Sequence, residues 1–177
     1  LQPFINCLHY SLVELFAEKE TEEFIRRFSR CECDFSSYRL VAEEGPAPSS
    51  IVHDLDLLGD DNILLVFGKK PLAVCGIAYP EGGIGLINQI KGIDGSFPWL
   101  YPLRWQNFFV SLVAAKLSRN KFAETRVISF RHYANVENGD TGYIPRVRAY
   151  RNLDLAAKQC GFTPVPPKNP DYWSKRL

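Results

Sequence analysis

Three apolar, β-rich runs follow one another between residues 62 and 90, and the turns between them are short. Asn62–Phe67 leads through Gly68-Lys69-Lys70-Pro71 into Leu72–Tyr79, and Glu81-Gly82-Gly83 leads on into Ile84–Ile90. A parallel pair needs a crossover of about a dozen residues or more, so connections this short force an antiparallel meander. The chain next crosses a stretch rich in Gly, Pro and aromatics, residues 92–102. It then enters its strongest helical pattern, which Pro102 can open. Trp105, Phe108, Phe109, Leu112, Val113 and Leu117 recur at helical spacing up to about Asn120. A meander followed by so broadly apolar a helix must bury one against the other.

The flanking segments extend this plan. Phe4, Ile5, Leu8, Leu12, Leu15 and Phe16 predict an amphipathic helix to about residue 18. Thr21 can cap a second helix whose apolar side is Phe24, Ile25 and Phe28. Tyr38–Val41 predicts a strand and Gly45–Ser50 a loop. Beyond the long helix come a strand over Arg126–Phe130, a polar loop over Arg131–Pro145, and a helix over Arg148–Cys160 that Gly161 caps. Phe162–Val165 and Tyr172–Leu177 predict two last strands. The expected class is α+β: a mixed, mostly antiparallel central sheet flanked by helices, as one domain over residues 1–177. With 177 residues, 46% of them hydrophobic, the chain can fill such a core.

A net charge of +1 argues against a protein that coats a polyanion, yet it hides an asymmetry. Residues 1–90 hold seven Lys/Arg against fourteen Asp/Glu, and residues 91–177 hold fourteen against six, so −7 is joined to +8. An anionic ligand on the C-terminal half would use that excess. The cysteines are Cys7, Cys31, Cys33, Cys75 and Cys160, an odd number without regular spacing, which predicts free thiols in a cytoplasmic protein. A structural zinc site wants two local ligand pairs, and Cys31-Glu32-Cys33 has no companion, so no metal is expected. No apolar run reaches the roughly 20 residues of a membrane span. The absence of methionine predicts a trimmed chain, and with it a missing partner domain, while Trp99-Leu100-Tyr101 reads as a hydrophobic plug or a homodimer contact.

The order of elements resembles the GNAT-type N-acetyltransferase superfamily. Asn62-Ile-Leu-Leu-Val-Phe-Gly-Lys-Lys-Pro-Leu-Ala-Val-Cys-Gly-Ile-Ala looks like that family's central hairpin. Leu155-Ala-Ala-Lys-Gln-Cys-Gly-Phe162 looks like its last helix entering the next strand, and Tyr172-Trp-Ser-Lys-Arg-Leu177 resembles its closing strand. The resemblance implies acetyl-CoA or another acyl-CoA as co-substrate, held where a strand splays from its neighbour and the next helix N-terminus meets the pyrophosphate. The family's Gln/Arg-x-x-Gly-x-Gly/Ala signature falls on Gln89-Ile-Lys-Gly92-Ile-Asp-Gly95, with the second glycine one residue late and Pro98 and Pro102 before the helix. Gln89, Gly92, Gly95 and Arg104 are therefore the expected cofactor contacts.

Two candidates for proton transfer follow. His132 lies directly beyond a strand end, and an unperturbed imidazole pKa suits removal of an amine proton. The resemblance implies a tyrosine as general acid four residues before the Gly of Gly-Phe. Ala157 stands there, which leaves Tyr150 as the substitute or as a core or stacking residue. The expected activity is direct attack of an amine, on a small molecule or peptide, on an acyl-CoA thioester. The alternative is a GNAT-like binding or interaction module without catalysis, which the missing tyrosine and the stretched phosphate loop favour. Aromatics are mixed with Arg104, Arg146, Arg148 and Arg151, but no nucleic-acid motif accompanies them, and neither nucleic acid nor membrane is expected as partner.

Overall fold

The structure, a computed structural model, describes residues 10–11, 27–32, 37–53, 55–129, 153–168 and 170–177. The strands are β1 (Tyr10–Ser11), β2 (Tyr38–Glu44), β3 (Ala47–Pro48), β4 (Asp56–Leu57), β5 (Asp61–Phe67), β6 (Lys70–Ala78), β7 (Ile84–Gly92), β8 (Glu124–Ile128), β9 (Thr163–Val165) and β10 (Tyr172–Arg176). Helix α1 is Phe97–Leu100, α2 is Trp105–Arg119, and residues 153–159 form α3. Among the described residues, eight strands form one sheet in the order β1-β2-β5-β6-β7-β8-β10-β9, and β3 pairs with β4 apart from it. Every neighbouring pair in the large sheet is antiparallel except β7 and β8, which the α2 crossover makes parallel. The fold is α+β, with a mostly antiparallel sheet.

The meander comes from the continuous apolar runs. β5 and β6 are buried on both faces, which is why they read without polar alternation. Ile63, Leu65, Ala73, Cys75 and Ile77 face the main core with Phe108, Phe109, Val113 and Leu117 of α2. Leu64, Val66 and Val74 face the other way, into a second cluster with Leu55 and Leu57. The expected loop over Gly45–Ser50 thus belongs to a segment holding the β3–β4 hairpin, which seals the second face where no helix among the described residues does. One tight turn was also read too widely. The β5–β6 turn is only Gly68-Lys69, and Pro71 lies within β6 opposite Val66. A shift of register between Leu65 and Val66 leaves Leu72 as an extra residue, and such irregularity is where a strand accepts proline.

On the main-core face α2 packs on β7 and β8, and α3 lies beside α2. Cys160, at the end of α3, places its Sγ 3.3 Å from Ser111 Oγ of α2. Trp173 Nε1 of β10 donates to Asp154 of α3 at 2.9 Å. The residue after α3 is Cys160, and Gly161 follows with φ +81°, the left-handed turn that the sequence predicted for the cap. Of the first expected N-terminal helix only Tyr10–Ser11 lie among the described residues, and they form β1 instead, where backbone pairing with Leu40 and Arg39 of β2 overrides the helical spacing. Of the second, residues 27–28 are helical. Phe28 enters the main core edge-on to Phe108 at 6.1 Å, and its carbonyl accepts the Arg104 N–H at 2.7 Å.

Candidate functional site

The local irregularity of β7 organises the site. Ile77 pairs with Ile87 and Gly76 with Gln89, so Asn88 is an extra residue, a β-bulge. Parallel pairing with β8 stops at Ile87–Val127, the position just before the bulge, although β7 continues to Gly92. A bulge bends its strand and raises the local twist. Among the described residues, β7 and β8 are therefore hydrogen-bonded over Ile84–Ile87 and not beyond, at the end of the sheet where α2 begins.

The bulge also reverses which residues face the core. Ile87 and Ile90 both lie on the α2 side, and Gln89 lies on the other. Gln89 Oε1 accepts the Leu58 N–H at 3.2 Å, and its Nε2 donates to the Asp56 carbonyl at 3.0 Å. Both ends of this buried amide hold the β4 segment on the sheet. Asn88 Nδ2 adds a bond to the Leu58 carbonyl at 2.7 Å.

Gly92, Gly95 and Arg104 gather at the end of β7. Gly92 lies beside Leu100 and Trp105: a Cβ there would stand 3.5 Å from Leu100 and 3.6 Å from Trp105, in ordinary contact. Gly95 turns the chain at φ +72°, a conformation that side chains rarely adopt. The turn bonds mostly to itself and to β6. Ile93 N–H donates to Leu72 carbonyl oxygen at 2.8 Å, Ser96 N–H to Ile93 at 3.1 Å, and Ser96 Oγ to Leu72 at 2.9 Å. Lys70 Nζ donates to the Gly95 carbonyl at 3.0 Å and stands 3.7 Å above the Trp99 ring. Arg104 is exposed and caps α2, whose first turn carries no acidic side chain. The N–H groups of the first turn, the helix dipole and this guanidinium make the start of α2 favourable for an anion.

Arg126, next to the last residue of β8 that pairs with β7, is committed elsewhere. Arg126 of β8 bonds Glu124 at 2.9 Å and lies 4.4 Å from the Tyr172 ring. Its hydrogen bonds, with that from Ser174, hold the Glu124 carboxyl below its ordinary pKa. His132 and Tyr150 lie outside the described residues. Lys70 and Ser96 are site residues that reading the sequence missed. The signal for Ser96 was present, since Ser96-Phe97-Pro98 is a helix start, and the structure accordingly places α1 inside the expected irregular connection. Lys70 carried no local signal, because its partners lie 25 and 29 residues away.

Among the described residues no helix is long and apolar enough to cross a membrane, and no cluster of His, Cys, Asp and Glu could hold a metal ion. No family model matches this chain, and neither the curated proteins nor the solved structures give a match.

Proposed function

We propose that the chain binds an acyl-CoA thioester where β7 and β8 part and transfers the acyl group, acetyl as the first choice, to an amine. The observation that carries this reading is the parallel pair that ends at the Asn88 bulge beside the start of α2. Among the described residues it leaves β7 backbone groups without a β8 partner next to a helix terminus that favours anions. It is also the arrangement that the GNAT resemblance implies for its thioester. Arg104 and the first-turn N–H groups of α2 would hold the pyrophosphate. A β7 N–H beyond the bulge would polarise the thioester carbonyl. His132 would accept the amine proton and Tyr150 would return one to the leaving thiolate. CoA itself supplies the activated acyl group. The Gly92–Ser96 turn contributes shape more than donors, since its Ile93 and Ser96 N–H groups are already bonded.

A second reading, a binding module that performs no chemistry, is favoured by one observation. Ala157, at the position where the resemblance implies a tyrosine acid, is fully buried in the core and carries no proton donor. Two measurements on the same protein separate these readings. A ligand present at a hundred times its Kd stabilises the native state by about 2.7 kcal/mol. For a chain of this size that raises Tm by roughly 5–10 °C. Acyl-CoA is expected to give such a shift, and Arg104→Ala to reduce it. Release of free CoA with an amine panel then reports transfer. A shift without release favours the module, and no shift at millimolar acyl-CoA refutes the acyltransferase.

A further inference from the structure

Phe97 and Tyr101 bracket α1 and project into solvent, 71% and 55% exposed. Their ring centroids are 5.8 Å apart with planes inclined by 53°. Single exposed apolar residues are ordinary, but two that touch form a surface. This surface is held in place. Ser96 bonds to Leu72, the Tyr38 hydroxyl donates to the Trp99 carbonyl at 2.7 Å, and Leu103 N–H donates to Leu100 at 3.0 Å. The rings therefore sit on a fixed platform.

Cations frame it. The Arg30 guanidinium lies 5.9 Å from the Tyr101 centroid, and Lys70 covers the neighbouring Trp99. Arg104 is exposed three residues beyond Tyr101, and Asp94 is the one acidic residue between 91 and 104. Exposed π faces beside guanidinium groups suit a nucleotide, whose base stacks while its phosphates pair with arginine. We propose that this platform binds the adenosine 3′,5′-bisphosphate end of CoA, the base on Phe97 and Tyr101 and phosphate on Arg30 and Arg104. The choice of CoA rests on the acyl-CoA reading; the stacking surface and its charge do not.

The test is calorimetric titration of the full chain with CoA, with 3′,5′-ADP and with 4′-phosphopantetheine. It compares the unaltered protein with Phe97→Ala/Tyr101→Ala and with Phe97→Leu/Tyr101→Leu, which keeps apolar bulk and removes the π faces. Both variants are expected to lose about tenfold or more in affinity for CoA and 3′,5′-ADP, and to keep that for 4′-phosphopantetheine. Ring-dependent 3′,5′-ADP binding with no 4′-phosphopantetheine binding keeps the platform and refutes the thioester site. The unaltered protein binding CoA no more tightly than 4′-phosphopantetheine overturns the platform and leaves the thioester site standing. Absence of 3′,5′-ADP binding at millimolar concentration, including the case where phosphatidylserine vesicles bind through the same rings, also overturns the platform.

Discussion

The side-chain amide of Asn62 closes two hydrogen bonds on the backbone of Gly59, its Oδ1 accepting the N–H at 3.1 Å and its Nδ2 donating to the carbonyl at 2.9 Å. Asn62 is fully buried in β5, so the pair ties the chain entering β5 to the start of that interior strand. Asn62→Ala strands both Gly59 groups away from water, at about 1–3 kcal/mol for each. Asn62→Asp keeps the acceptor and loses the donor. Denaturant melts are expected to rank both below the unaltered chain. Gly59→Ala should be at least as damaging, since its Cβ would fall 2.3 Å from the Ile77 backbone nitrogen.

Gly85 is expected to be intolerant for a different reason. A Cβ there would stand 2.3 Å from Leu117 Cδ1 in the contact between β7 and α2. Overpacking of this kind costs about 1–3 kcal/mol. The diagnostic is coupling: in a Leu117→Ala background Gly85→Ala should cost less, because the colliding atom is gone. Equal costs in both backgrounds would show that the two side chains do not meet.

Tyr79 carries a pH dependence. Burial, then its 2.6 Å hydrogen bond to Asp61, pushes the phenol pKa well above its ordinary value near 10. A group with a raised native pKa contributes stability that is present below the unfolded pKa and lost as pH rises beyond it. The unaltered protein should therefore lose stability above about pH 10 faster than Tyr79→Phe. Parallel stability curves for the two proteins between pH 8 and about pH 11 would remove Tyr79 from that role.

Thiol reactivity should sort by burial. Cys75 is wholly buried and its pKa is raised by desolvation, whereas Cys31 is exposed. Alkylation of the native protein followed by peptide mass analysis is expected to label Cys31 and to spare Cys75 and Cys160 until denaturant is added. Early labelling of Cys75 would contradict its place between β5 and β7.

Gln89 gives a fifth test. Replacing it by leucine removes both bonds to the β4 segment, and amide exchange should rise first at Leu58, whose N–H loses its acceptor. Uniform protection there would show that the hydrophobic contacts of Leu55 and Leu57 suffice.

The elements legible from the sequence are those whose pattern is local. The three strands of the meander and the Gly161 cap lie within a residue or two of their expected bounds, because period and turn chemistry declare them. The long helix ends within a residue of its expected bound but opens at Trp105, not at Pro102, which lies in the turn after α1. The β3–β4 hairpin was read as loop, since its strands have two residues each and are too short to show alternation. At the candidate site, Gly92, Gly95 and Arg104 were legible as a motif. The bond partners of Gln89 were not, because they depend on a bulge that only the pairing of β6 with β7 reveals. Lys70 was hidden for the same reason: its contacts are made across the sheet end, not along the chain.

The Asn88 bulge gives β7 two phases. Up to Ile87 the odd-numbered positions meet α2, and from Gln89 onward the even-numbered ones do. The strand thus stores one residue of slack that a deletion would take up. Removing Asn88 would merge the two phases into one regular alternation, with Ile87 and Ile90 still toward α2 and Gln89 still toward the β4 segment, and would remove the bend and added twist of the bulge. The straightened strand would re-aim the Gly92 turn, α1 and its rings while leaving the register with β6 unchanged. The length of the chain at this position, more than the identity of the residue that fills it, sets where the sheet ends and the site begins.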